Sequence, residues 1–333
     1  ERISVLGSSN NINNPGFSFD EIYEMVGNSR GGGINFNRNG SFSIGNMSFG
    51  FGEGIVTSST IGGSYANQDK GKYKVDGNYF YAYSDSYNDE RTSRENILPD
   101  GSFFTDTESS FVGGTISNQA AANLEFDVDK TTRITIQPNF SVNNTNSSNL
   151  ENTVSTEEDG NLINDNTSLQ VTDGFQRNFG NRLEIMKRLD SLGKYVRVYF
   201  NNDNRVSDSE TSLNSERNIY GDDPSQVLLD QRTLIDNSND SYEIGGSYRQ
   251  PLNKELYLDF RYSYEKNEQQ NQRTVSDFDE ITGQYVYNMA LSSDFDFVVN
   301  KHVPEAGVGF NGKKLRFNLR ARLENNRLEN EDF

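Results

Sequence analysis

Five short turns carrying lysine recur along the chain at a nearly constant interval. They read Asp69-Lys70-Gly71-Lys72, Asp129-Lys130-Thr131, Leu192-Gly193-Lys194, Leu252-Asn253-Lys254 and Asn311-Gly312-Lys313-Lys314. Lys70, Lys130, Lys194, Lys254 and Lys314 are separated by 60, 64, 60 and 60 residues. Gly and Asn accept the positive φ that a tight hairpin needs. A fixed period of this size restricts the chain to a repeated supersecondary unit.

Alternation on either side of the turns identifies the unit. Tyr73, Val75, Gly77, Tyr79, Tyr81 and Tyr83 share one face, against Lys74, Asp76 and Asn78. Ala120, Ala122, Leu124, Phe126 and Val128 precede the second turn; Ile134, Ile136, Phe140 and Val142 follow it. Leu256, Leu258, Phe260, Tyr262 and Tyr264, then Leu315, Phe317, Leu319 and Leu323, repeat the habit. Period two over such lengths is a strand signal. The pattern predicts about ten strands of 10–14 residues in five hairpins, an all-β, antiparallel up-and-down meander. Pro138 falls in mid-strand, where it removes a ladder donor, so a bulge or local break is expected there.

Charge is unevenly spread. Segments 88–118, 146–178, 210–240 and 271–303 carry net −4, −5, −5 and −3, nearly all of the formal −18. They are polar and read as long loops opposite the short lysine turns. Short turns at one end and long loops at the other are the habit of outer-membrane barrels. A soluble sandwich also alternates, but strand length, this asymmetry and Tyr- and Phe-rich apolar faces favour a barrel wall. No run of about 18 apolar residues is present, so a transmembrane helix is excluded, whereas spanning strands escape hydropathy.

The same counts exclude several functions. With no cysteine there is no disulfide framework or thiolate metal site. The one histidine, His302, cannot build a multi-histidine centre, and in the loop-like segment 300–304 it reads as a solvated residue. Strong acidity opposes nucleic acid. Asp277-Phe278-Asp279-Glu280-Ile281-Thr282-Gly283 starts like a calcium loop, but Ile281 stands at the fifth position and the glycine comes one place late. That segment and Glu157-Glu158-Asp159-Gly160-Asn161 read as hairpin tips. No catalytic, metal or cofactor residue is assigned, and the chain is not read as an enzyme. Ligand-contacting residues are unknown.

Residues 1–54 lack the period. Ile3, Val5 and Leu6 suggest a short strand, and Ser18-x-x-Glu21 resembles a capping box opening one or two helical turns through Met25. Arg30-Gly31-Gly32-Gly33 reads as a connector, since no helix pattern follows it. Phe36, Phe42, Phe49 and Phe51 among glycines suit a segment packed inside a larger shell. At the other end, Arg327, Glu329 and Glu331 alternate up to Phe333, so the last strand reads as interrupted.

Arg2-Ile3-Ser4-Val5-Leu6-Gly7-Ser8-Ser9-Asn10-Asn11-Ile12-Asn13 followed by Gly16-Phe17-Ser18-Phe19-Asp20 resembles the end of a plug domain. The plug is that of TonB-dependent-receptor-like outer-membrane β-barrel proteins of the carboxypeptidase-like regulatory domain type. Gly54-Ile55-Val56-Thr57-Ser58 and Gly62-Gly63-Ser64-Tyr65 resemble the entry to that family's first barrel strand. Asn96-Ile97-Leu98-Pro99-Asp100-Gly101-Ser102 and Leu229-Asp230-Gln231-Arg232-Thr233 look like its loop motifs. The resemblance implies a plug end over 1–54 and the N-terminal part of a barrel over 55–333. It implies a plugged lumen within about 22 strands, and a Gram-negative outer membrane with its lipid and lipopolysaccharide as surroundings. It also implies uptake of a small-molecule or oligomeric ligand coupled to the TonB system. No energy-coupling box is visible in the sequence. A structural or adhesive surface barrel and a secreted glycan-binding β-protein are the alternatives.

Overall fold

The computed structural model describes residues 1–10, 34–36, 42–44, 47–49, 54–98 and 101–332. The elements are β1 (Arg2–Asn10), β2 (Ile34–Phe36), β3 (Phe42–Ile44), β4 (Met47–Phe49), β5 (Ile55–Asp69), β6 (Tyr73–Leu98), β7 (Gly101–Asp127), β8 (Thr132–Glu157), β9 (Leu162–Arg188), β10 (Tyr195–Ile219), β11 (Ser225–Pro251), β12 (Leu256–Asp279), β13 (Gln284–Tyr287), β14 (Ser293–Asn311), β15 (Arg316–Arg322) and β16 (Asn325–Asp332). They make a 13-stranded antiparallel meander in the order β1-β5-β6-β7-β8-β9-β10-β11-β12-β14-β15, with β13 on β12 and β16 on β14. The sheet is open, with β1 at one edge and β15 and β16 at the other. β2, β3 and β4 form a separate small sheet, and β4 lies against β6, β7 and β8.

Each lysine turn joins two neighbouring strands, giving the five expected hairpins: β5–β6, β7–β8, β9–β10, β11–β12 and β14–β15, the last with a short second strand of seven residues. Short polar side chains fix several of them by accepting amide hydrogens the ladder leaves over. Asp129 accepts from the Thr131 and Thr132 amides at 2.7 and 3.0 Å, Asp190 from those of Leu192 and Lys194, both at 2.8 Å, and Asn253 from those of Glu255 and Leu256, both at 2.8 Å. Gly71 and Gly193 supply φ of 81° and 101°.

The expected long loops are strands. β6 to β11 each run 25 to 27 residues, and β12 runs 24. The acidic segments are therefore the distal halves of the same hairpins. Their polarity does not break the ladder, because the backbone pairs across strands whatever the side chains are. Thr107 and Thr153, Thr105 and Ser155, and Thr172 and Thr211 add hydroxyl contacts of 3.0–3.3 Å between neighbours. The tips are tight: Gly160 (φ 88°) and Gly283 (φ 66°) turn where hairpin ends were expected.

Two local expectations resolve differently, and a third, the break at Pro138, holds. The short N-terminal strand is nine residues long and pairs antiparallel with β5 from Arg2↔Ala66 to Asn10↔Ser58. His302 lies within β14, not in a loop; its register partners Tyr264 and Asn325 hold it in the ladder on both sides. At Pro138 the β7–β8 pairing is interrupted between Ala121↔Asn139 and Leu124↔Ile136 with no change of register. The other edge of Pro138 pairs with Asn181. The local break is there without a bulge; an irregularity occurs instead at Ser155/Thr156. The helical turn expected at 18–25 and the connector at 30–33 lie outside the described residues.

Candidate functional site: a two-faced wall

Register places the alternating residues in rows that cross the sheet. Tyr73 pairs with Phe126, Phe126 with Ile134, Ile134 with Ile185, Ile185 with Val198, Val198 with Gly246, Gly246 with Tyr262 and Tyr262 with Pro304. All of these face one way. Phe126, Ile185, Val198 and Tyr262 of this row are exposed, as is Phe260 in the next outward row at 48%. The opposite face holds the buried hydrophobic residues Val56, Phe80, Ala82, Tyr199, Val275 and Val303, together with buried Ser58, Thr60, Ser117, Asn143 and Ser263. We call this second face inner and the first outer.

At the heights where the outer face is apolar, the inner face is charged and paired. Lys74 lies 3.6 Å from Asp76 and 3.8 Å from Glu125; Arg133 meets Asp127 at 2.8 Å and Glu125 at 3.4 Å. Arg182 and Arg197 share Glu184 at 2.9 and 3.8 Å. Arg249 donates to both oxygens of Asp259 at 2.6 and 2.8 Å. Arg261 and Arg320 share Glu305 at 3.9 and 3.5 Å, and Lys301 meets Glu265 at 3.2 Å. Tyr199 and Asn201 donate to the two oxygens of Glu243 at 2.7 and 2.8 Å. On β6–β9, Ser117 Oγ, Gln119 Oε1 and Asn178 Oδ1 are buried without a hydrogen-bond partner among the described residues. Such atoms need a polar occupant or water opposite them.

The apolar band drifts along the strands. The row defined above is the first residue of β6, the third of β8 (Ile134), the fourth of β10 (Val198) and the seventh of β12 (Tyr262). Residues nearer the turn, such as Leu258 and Phe260, replace distal ones in the band as it crosses. The slip is about one residue per strand. At about 3.3 Å along the strand against about 4.8 Å between strands, it tilts the strands by roughly 35° from the normal to the band. On β6 the band from Tyr73 to Tyr83 measures roughly 33 Å along the strand, close to the about 25 Å height of a lipid-facing band once tilted.

Beyond the band both faces are mainly polar, with Leu150, Leu169 and Val171 among scattered exposed apolar residues on the outer side. On the outer side Asp85, Asp173, Asp208, Glu210 and Asp236 line a hollow of 570 Å³; on the inner side Glu90, Arg94, Thr107, Ser109, Phe111 and Asn149 line one of 580 Å³. The calcium-like segment lies at a distal tip. Asp277 is engaged by Gln231 at 2.8 Å and Asn288 at 2.6 Å, while Asp279 accepts from the Ile281 and Thr282 amides. His302 faces outward at the band's margin, with its Nδ1 2.7 Å from the Tyr262 hydroxyl. At the lysine-turn end, hydrogen bonds from the Thr131 hydroxyl and amide, Lys187 and the Thr132 hydroxyl hold the Asp129 carboxyl well below the usual carboxylate range.

Fold and site together define a class by architecture: an antiparallel β-meander, apolar outside and ion-paired inside. No family model, no curated protein and no solved structure matches the chain.

Proposed function

We propose that this chain forms wall of a membrane-spanning outer-membrane β-barrel that receives a ligand at its distal hairpins and admits it through a polar lumen. The observation that carries the reading is the pairing of an exposed apolar band with an ion-paired inner face at the same height. Water gives no reason to expose Phe260, Tyr262, Ile244 and Val198 together on a single-layer sheet, and hydrocarbon does. The one-residue slip per strand supports it, since a closed barrel needs such stagger. The small β2–β4 sheet beside β6–β8 suits a plug-like segment within 1–54, with 55–333 as barrel wall and β1 extending that wall's sheet at its edge. Coupling to the TonB system, and lipopolysaccharide around the acidic outer hollow, belong to this proposal.

Its test uses the absence of cysteine. Single cysteines at Asp159, a distal tip, and Ser191, a lysine turn, are introduced and intact cells are treated with an impermeant thiol reagent. Asp159→Cys labels, and Ser191→Cys labels only after the outer membrane is breached. Equal labelling in intact cells overturns the spanning wall in favour of a surface-displayed β-domain.

The distal hairpins favour a second reading. Being continuous strands, they suit a structural or adhesive surface barrel as well as ligand capture. Ligand uptake by cells with and without an energised inner membrane separates the two.

A further inference from the structure

The outer band is not smooth. Between β10 and the β15–β16 edge it sinks into an apolar groove of 850 Å³, walled by Val196 and Val198 on one side and Leu323 on the other. Two adjacent rows make the groove. One runs Val198, Gly246, Tyr262, Pro304, the other Val196, Tyr248, Phe260, Ala306, Ala321. The small residues Gly246, Ala306 and Ala321 leave the hollow, and the rings of Tyr248, Phe260 and Tyr262 floor it. Lys194 stands at its lysine-turn end, on the same face as Val196 and Val198. Its ammonium lies 5.7 Å from the centre of the Tyr248 ring.

We infer that this groove is a binding site for one phospholipid of the leaflet on the lysine-turn side, with an acyl chain along Tyr248 and Phe260 and the anionic phosphate at Lys194. The inference rests on the membrane reading above. Three observations select this occupant. The groove is continuous with the apolar band, so a lipid tail needs no new environment to enter it. The arginines of its lining, Arg197, Arg261 and Arg322, are paired with Glu184, Glu305 and Glu324, whereas Lys194 sits beside Tyr248 at the end where the band stops, the height of a headgroup. Beyond the other end of the band the outer face carries Asp85, Asp173, Asp208 and Asp236, which disfavours an anion arriving from that side, while Asp190 beside Lys194 is taken up by the Leu192 and Lys194 amides. Lys194 contributes attraction, and the ring beneath it keeps the ammonium at the groove's mouth.

The chain contains no tryptophan, so one introduced tryptophan is an unambiguous probe. The full chain carrying Phe260→Trp, in the groove, or Phe179→Trp, in the band on β9, is placed in phosphatidylethanolamine vesicles. A minor fraction of acyl-brominated lipid is present, either phosphatidylglycerol or phosphatidylcholine. Both brominated lipids should quench Phe179→Trp equally. Phe260→Trp should be quenched with an apparent affinity about fivefold higher for the phosphatidylglycerol, the factor matching about 1 kcal/mol for one cation near the surface. Lys194→Gln should remove that preference. Equal quenching of Phe260→Trp by the two lipids, or a preference that survives Lys194→Gln, overturns the site while leaving the membrane reading intact. Failure of either lipid to quench either probe in vesicle-bound chain that keeps its strand content by circular dichroism overturns the membrane reading itself.

Discussion

Tyr199 shows how much of this wall depends on single atoms. Its ring lies flat over Gly245, its direct partner on the next strand, and a Cβ there would come within 2.5 Å of the ring. Phe80 covers Gly62 and Tyr257 covers Gly309 in the same way, with approaches of 2.3 and 2.2 Å. Gly246, one residue on and facing outward, would meet nothing closer than 3.6 Å. Gly245→Ala is therefore expected to cost about 1–3 kcal/mol by overpacking, and Gly246→Ala to be neutral or slightly stabilising, as read from urea unfolding in detergent. The same contrast holds between faces. Phe260→Arg should cost about 2–4 kcal/mol in lipid. Asp259→Asn, which weakens a half-exposed fork to Arg249, should cost about 1–2 kcal/mol. Equal tolerance of the two would sink the outward assignment of Phe260. Asp129 adds a pH term. Its folded pKa is depressed, so its contribution is complete above the ordinary carboxylate value of 3.8 and fades as the pH falls through the lowered one. The stability difference between the parent and Asp129→Ala should shrink on acidification below that value and be constant from pH 5 to 7.

The distal hairpins are the elements that sequence reading misjudged, and the reason is physical. Near the lysine turns one face is apolar and the other polar, so Tyr73 to Tyr83 and Ile134 to Val142 announce a strand by contrast. Farther out both faces are wet. Thr107, Ser109 and Thr153 then stand beside Asp106, Glu108, Ser110 and Asn152, with only scattered apolar residues such as Leu150 and Val154 between, and the period fades although the ladder continues. The aromatic–glycine pairs were hidden for another reason. Cross-strand partners follow only when turn lengths are known, and these vary from the three residues after Asp69 to the six before Tyr195. Hairpin number and turn positions, which need no register, were legible. The distal strands give an expected outcome of their own. Amides of residues 147–156 and 164–172 should exchange slowly, like those of the band, because each residue is paired on both sides. Loops of the same composition would exchange within the dead time of a hydrogen-exchange experiment.

Among the described residues the large sheet has two open edges, β1 and β15–β16, and in hydrocarbon the amide and carbonyl groups of an open edge have no partner. Residues 1–333 alone are expected not to give uniform pores of large-receptor size in planar bilayers; stable pores of that size would refute this. The long unbroken strands also constrain how such a chain can change over generations. In a strand of some 26 residues whose turn-side half keeps one side apolar and the other ion-paired, losing a single codon turns every later residue of that strand to the wrong side. Change in length is tolerated only in pairs, at the tips, or where an irregularity such as Ser155/Thr156 absorbs it. Three of the four lysine intervals have the same length, and the fourth differs by an even number. Growth or shrinkage by whole hairpins leaves every remaining strand in phase, so descendants of such a wall should differ from one another in hairpin count far more often than in strand parity.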